Sequence, residues 1–269
     1  MTIGRRTFIG TAVGAGFAAA QTPNAPAPAK AQPAERKAQI TRLFKSPDAH
    51  PNALEATPDG LWIGDQVSER VFKVDWENGK VLKQFETEAH NTSGLAVGAG
   101  SVWISCNGSV SNRRPARAHD KDIGEILQAD MNTGKTIKIT PVPWGAGIHG
   151  MTFNPKTQTL WATALSVNTL VEMDPKDLRI IHMIPIRNAR AHGFDFEGDS
   201  IWLVEAQDRM LERIDPKNGK VLEVVRLTKT DPDPHGLAIH NGHMYYCDAG
   251  LTDVGTGSAP GYICRVDLI

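Results

Sequence analysis

"RAHGFDFEGDSIWLVEA" (residues 190–206) sets a histidine, His192, ahead of a glycine and a short apolar run. Ten residues later it arrives at Trp202, and then at an acid, Glu205. "DPHGLAIHNGHMYYCDA" (residues 233–249) repeats the arrangement with His235, Tyr245 and Asp248. Two short apolar runs flanking a polar, glycine-containing turn are the signature of an antiparallel hairpin. The fixed interval is therefore read as one hairpin that leaves a face of the fold and returns to it.

The same register recurs along the chain. Apolar runs with a central aromatic stand at "DGLWIGD", "GSVWISC", "QTLWATA", "DSIWLVE" and "GHMYYCD", which aligns Trp62, Trp103, Trp161, Trp202 and Tyr245. Each is followed by a further run that reaches Asp75, Asp130, Asp174, Asp215 or Asp267. Ten residues before the aromatic lie Asn52, Ser93, His192 and His235, and twelve before Trp161 lies His149. Five units of roughly 40 residues cannot bury their sheet faces singly, but radial stacking buries them all. The expected fold is all-β, a five-bladed β-propeller. A two-sheet sandwich is the alternative, although a sandwich has no need of five copies of one register. The fifth unit shows only three strands before Ile269, and "AQITRLFKS" (residues 38–46) supplies the fourth. An N-terminal strand thus closes the ring.

Composition bounds the function. Apolar residues make up 41% and charged residues 22%, ordinary values for a soluble globular chain. A formal net charge of −1 argues against nucleic acid or an anionic membrane as a partner. The partner expected is a small-molecule substrate, and the chain is expected to be a monomer. The 25 glycines and 17 prolines point to many turns. Residues 38–269 are read as one domain, 32–37 as a linker and 1–31 as a leader. "IGRRTFIGTAVGAGFAAA" places Arg5 and Arg6 before a Gly/Ala-rich stretch, a pattern similar to the twin-arginine export signal, with Ala29 and Ala31 offering a processing site. A membrane anchor needs about 20 strongly apolar residues. No membrane insertion is expected, and the destination implied is the periplasm or beyond. Cys106, Cys247 and Cys264 match no zinc spacing and are read as packing residues.

In a propeller the inner strand of each blade starts at the mouth where the second strand ends. The register therefore gathers Asn52, Ser93, His149, His192 and His235 with Asp65, Cys106, Ala164, Glu205 and Asp248 at one opening. Two long connections, "NGSVSNRRPARAHDKD" and "AGLTDVGTGSAPG", interrupt the repeat at this mouth and are read as lids. His149, His192 and His235 on consecutive blades form a candidate metal set, since three neutral imidazoles leave a position open on a divalent ion. Zinc, iron or copper suits that donor set. Glu205, with His192 and His235, is a candidate for acid–base work. Asn52, Asp65, Asp248, His50 and His90 are candidate substrate contacts. The competing reading makes His-Gly a structural blade start, with each imidazole bonded to a neighbouring carbonyl. Arg113, Arg114 and Arg117 in the first lid either bind a substrate carboxylate or keep the loop soluble.

The segments "PHGLAI", "AHGFDF" and "IHGMTF", each followed by a hairpin, resemble the virginiamycin B lyase group of streptogramin lyases and, more broadly, NHL and SMP-30/gluconolactonase-like propellers. The resemblance spans residues 38–269 and implies a metal-assisted lyase that opens a cyclic ester, with His149, His192 and His235 at the matching positions and Glu205 as a partner. It implies magnesium or calcium, whereas three imidazoles favour a softer ion. That group has seven blades, and five make a tighter shaft. In the SMP-30 type a Glu, an Asn and an Asp hold the metal. Asn52, Asp65, Glu205 and Asp248 could imitate that set, making lactone hydrolysis the alternative activity. Five-bladed glutaminyl cyclotransferases share the blade count, but none of their motifs is mapped. A non-catalytic propeller that binds a ligand or protein through the same face is the reading from another class.

Closure by residues 38–46 makes a first prediction. Deleting them is expected to abolish the cooperative thermal transition, whereas deleting residues 1–35 leaves it in place, as followed by circular dichroism.

Overall fold

The structure is a computed structural model that describes residues 32–108, 114–187, 190–249 and 261–269. The leader (residues 1–31), part of the first lid (109–113, with Arg113) and most of the second (250–260) lie outside the described residues. Two short strands come first, β1 (Ala34–Arg36) and β2 (Ala38–Lys45). Blade 1 is β3 (Pro51–Thr57), β4 (Gly60–Asp65), β5 (Arg70–Val74) and β6 (Val81–Glu86). Blade 2 is β7 (Thr92–Gly98), β8 (Ser101–Cys106), β9 (Glu125–Asp130) and β10 (Thr136–Pro141). Blade 3 is β11 (Ile148–Asn154), β12 (Thr159–Ala164), β13 (Thr169–Met173) and β14 (Ile180–Pro185). Blade 4 is β15 (Ala191–Glu197), β16 (Ser200–Glu205), β17 (Met210–Ile214) and β18 (Val221–Arg226). Blade 5 is β19 (Pro234–His240), β20 (His243–Asp248), β21 (Tyr262–Leu268) and, from the other end of the chain, β2.

The fold is thus the expected five-bladed propeller, closed by β2 running antiparallel to β21 with Ala38 opposite Leu268. The inner strands β3, β7, β11, β15 and β19 pack side by side in a closed ring. β1, inside the stretch read as a linker, adds a parallel fifth strand to blade 4, with Ala34 opposite Glu223. Ion pairs Arg36–Glu223 (3.3 Å) and Glu35–Arg226 (3.4 Å) flank it. The N-terminal segment therefore bridges blades 4 and 5.

The in-register aromatics explain why the sheets stack. The apolar core divides into five clusters, one for each contact between neighbouring blades. Trp62 packs among Leu95, Val102 and Ile104 of blade 2, and Trp202 among Leu237, Tyr246 and Val266 of blade 5. Trp103 and Trp161 fill the two seams between them. In blade 5 the aligned Tyr245 is only half-buried and tilts against Trp76 of blade 1, while the adjacent Tyr246 is fully buried. Asp75, Asp130, Asp174 and Asp215 close the outer hairpins of blades 1 to 4. Asp75 Oδ1 accepts the amides of Glu77 (3.0 Å) and Asn78 (3.2 Å), an Asx turn that caps the backbone locally.

The inner ring is tight because glycine follows the ring residue. A methyl group built on Gly150 would lie 2.0 Å from the carbonyl oxygen of His192, and one on Gly94 would lie 2.1 Å from that of His149. Gly193 and Gly236 meet the backbone of the following blade in the same way. Overpacking by one carbon in a rigid interior costs about 1–3 kcal/mol, and here the obstacle is backbone. Gly150→Ala is expected to destabilise the fold by about 2 kcal/mol or more. The turn variant Gly242→Ala has open space around it and only a left-handed backbone (φ +77°) to oppose it, so it should cost about 1 kcal/mol. Urea denaturation midpoints compare the two.

Candidate active site

All five inner strands break their pairing register at the ring position. The shifts fall between Pro51 and Ala53, Thr92 and Gly94, Ile148 and Met151, Ala191 and Phe194, and Pro234 and Leu237. A bulge there frees backbone amides that must find other partners. Second-strand side chains supply them. Thr163 Oγ1 accepts the amides of His149 (3.0 Å) and Gly150 (2.8 Å), and Cys247 Sγ lies 3.1 Å from the amide of Gly236. Ser105 Oγ donates to the carbonyl of His149 across the blade boundary (2.6 Å). The bulge turns the ring residues into the shaft. The same ladders pair Pro51 with Asp65, Ala191 with Glu205 and Pro234 with Asp248, so hairpin ends and ring positions share one mouth.

The three histidines meet. The rings of His149 and His192 lie 4.3 Å apart and those of His192 and His235 4.5 Å apart, both edge to face. His149 Nδ1 is 3.1 Å from His192 Nε2, so one nitrogen carries a proton shared with the other. His192 (3% exposed) and His235 (4%) are buried, and His149 is the outermost ring. Burial, which penalises the charged form, holds His149 and His235 down at about 3 and His192 well below the usual histidine range. Their mutual proximity and the exposed guanidinium of Arg190 push in the same direction. Neutral imidazole is the result. His235 faces a carboxylate, with Asp233 Oδ2 and the Asp233 carbonyl oxygen each 3.5 Å from its Nδ1, and Asp233 is pinned in turn by Arg209 (3.0 Å).

The other expected contacts divide. Asn52 lies in the ring, donating to Thr92 O (3.1 Å) and Ser93 Oγ (3.4 Å). His50 is buried close by, and its proximity helps to hold the His235 imidazole down. Asp65 spends both oxygens on backbone amides, those of His50 (2.7 Å), Val67 (2.9 Å) and Ser68 (2.8 Å), so its carboxylate is committed to the turn. His90 turns to the lid, 3.3 Å from Ile123 O and 4.0 Å from Glu125. Asp248 accepts the amide of Asp233 (3.2 Å), which steadies the loop before His235. Glu205 is fully buried at the end of β16. Arg114 binds no open site. It pairs with buried Glu69 (3.0 Å) and with Asp120 (2.7 Å), whose carboxyl it pulls down to about 2. Glu69 also accepts the amides of Asn91 (2.6 Å) and Thr92 (3.1 Å), so Arg114 clasps the lid to blades 1 and 2. The cysteines are free and buried among apolar neighbours, in keeping with a packing role, and burial pushes the Cys106 and Cys264 thiols up to about 12.

The donor chemistry suits an ion of the zinc, iron or copper kind. Neutral imidazoles offer lone pairs without proton competition, and 3.1 Å is a spacing that two neighbouring ligands on one ion adopt. Two buried polar atoms here, His192 Nδ1 and Asn52 Oδ1, have no hydrogen-bond partner among the described residues. No group of three or more His, Cys, Asp or Glu donors converges on one point among the described residues.

Comparison with known proteins follows the fold. No protein-family model and no curated protein matches the sequence. Among solved structures, a glutaminyl cyclase from Myxococcus xanthus is similar with a TM-score of 0.62 and 13% identity, covering 88% of this chain and 100% of that one. A luciferin-regenerating enzyme gives 0.50 and 12%, covering 85% and 95%. A virginiamycin B lyase from Staphylococcus aureus gives 0.47 and 17%, covering 83% and 68%. At these identities the likeness establishes the propeller fold alone.

Buried neutral histidines make stability sensitive to acid. Below pH 6.5 the unfolded histidines take protons that the folded ones refuse until about pH 3, so stability falls as pH falls across that window. Metal-free protein should lose up to about 1.4 kcal/mol per pH unit for each such histidine. His149→Gln should flatten that slope, as read from urea midpoints between pH 6.5 and 4.5.

Proposed function

We propose that the histidine mouth is the active site of an exported, metal-assisted lyase that opens a small ester or lactone. The observation that carries this reading is the train of three neutral imidazoles in consecutive contact, two of them buried and His149 half-buried, at one end of the shaft. Such imidazoles are poor free bases but good ligands and neutral hydrogen-bond donors. His149 and His192 would hold the divalent ion, with His235 the nearest further imidazole. A bound ion would polarise the ester carbonyl of the substrate.

The roles of the protein groups follow from their partners. Asp233 lies 3.5 Å from His235 Nδ1 and would support its protonated form, so among these weakly basic rings His235 would be the one to take the proton. In elimination it takes a proton from the carbon next to the one that bears the ester oxygen, a C=C bond forms, the alkyl C–O bond breaks, and its electron pair leaves on the carboxylate. In hydrolysis, the SMP-30-like alternative, it takes a proton from water, the water oxygen adds to the carbonyl carbon, the acyl C–O bond breaks, and the departing alkoxide takes up a proton. Glu205, on the blade of His192, would exchange the proton with the leaving group. Asn52 and His50 contact the substrate at the ring, and the Arg190 guanidinium at the mouth suits a substrate that carries negative charge. The Arg5–Arg6 pattern supports export to the periplasm or beyond.

Mature protein should contain one divalent ion by elemental analysis, lost in His192→Ala. On a panel of lactones and aryl esters, His235→Asn should keep the metal and lower kcat at least 100-fold. An unsaturated product identifies the lyase, and a hydroxy acid the hydrolase. A metal-free, inactive protein whose mouth still captures a ligand would favour the non-catalytic propeller.

A further inference from the structure

The opposite end of the shaft opens into a cavity of about 410 Å³, within the size range of small-molecule sites. Its walls are apolar, formed by Ala56, Pro58, Val97, Phe153, Phe196 and Ile239. Its floor is Glu55 and Asp195, which sit three residues past the ring position in blades 1 and 4. Thr152, at that position in blade 3, joins them. Its Oγ1 is 3.0 Å from Glu55 Oε2 and 3.3 Å from Asp195 Oδ1, and its single proton serves one at a time. The amides of Phe196 and Ile239 each donate to Asp195 at 2.7 Å. Ala96 and Ala238 occupy the matching positions of the remaining blades.

These hydrogen bonds satisfy lone pairs without cancelling charge. Among the described residues no lysine, arginine or histidine pairs with either carboxyl. Lys156, on the cavity rim, is turned to the carbonyl of Gly198 (3.2 Å) and to Asp199 (3.3 Å). Burial raises both acids, Asp195 to about 6 and Glu55 well above the usual carboxylate range with an added push from the Asp195 charge, so the pair resists full ionisation. Two acids in an apolar chamber without a counter-ion are costly to keep unless something positive completes them.

We propose that this cavity is a binding site for a small organic ammonium, its charged head on Glu55 and Asp195 and its apolar body against Phe153, Phe196, Val97 and Ile239. Aromatic walls add attraction for a cation. As the ammonium binds, the proton held by the acid pair leaves to solvent, so binding strengthens as pH rises. Glu55, Asp195 and Lys156 are the titratable groups lining the chamber among the described residues. The site shares no residue with the histidine mouth and stands independently of it.

Calorimetric titration of the full chain with benzylammonium, and with benzyl alcohol as its neutral shape match, tests the assignment. The amine should bind one to one and at least tenfold more tightly than the alcohol. It should bind more tightly at pH 8 than at pH 5, and release a proton detectable by comparing two buffers of different ionisation enthalpy. Asp195→Asn should weaken it at least tenfold. Val97→Phe, which fills the apolar part and keeps both acids, should abolish it, with thermal melts confirming that both variants fold. His192→Ala should leave it unchanged. Equal affinity for amine and alcohol, amine binding that survives Asp195→Asn, or no saturable binding to the folded wild type would overturn the proposal.

Discussion

Everything in this molecule depends on how closely five inner strands approach one another around the shaft. Backbone atoms of one blade sit where a Cβ of the previous blade would stand, and only glycine at Gly94, Gly150, Gly193 and Gly236 permits it. The approach forces the bulges, and the bulges need Thr163, Ser105 and Cys247 to bond what the ladders leave unpaired. It also brings residues some 40 positions apart in sequence into contact at one point. The His-Gly pair is therefore one device with two parts. The glycine admits the neighbouring strand, and the histidine occupies the narrow space that results.

The shaft that emerges has two chemically different ends. At one, imidazoles are kept neutral by burial and by each other. At the other, carboxyl groups are driven towards their protonated form by the same cause. Both sets project from the same five strands, three residues apart, so the lining changes character within one turn of the pleat. Apolar clusters between blades insulate each end and keep the dielectric low.

Periodicity made the frame legible. A ten-residue return from His192 to Trp202 and from His235 to Tyr245 determines blade count, register and the mouth at which the histidines gather, because a hairpin has a fixed length. Contacts between blades were harder to read. Arg114 looked like a free lid cation, and its tie to Glu69 spans 45 residues with no shared motif. Asp65 looked like a ligand because it ends a second strand, yet one oxygen takes the amides of the turn after it and the other the amide of His50. Glu55 and Asp195 were visible as lone acids inside "ALEA" and "GFDF", but their meeting through Thr152 depends on which blades face each other across the axis. Asp233 behind His235 was hidden in an ordinary Asp-Pro turn.

The seam made by β1 and β2 governs the order in which this protein can mature. The strand that closes the ring is translated before blades 1 to 4, and its partner β21 after them. Until β21 has been made the early strand lacks the edge on which it docks. Closure is then a single long-range event that fixes both ends of the propeller at once, so the closed wheel resists opening at its seam.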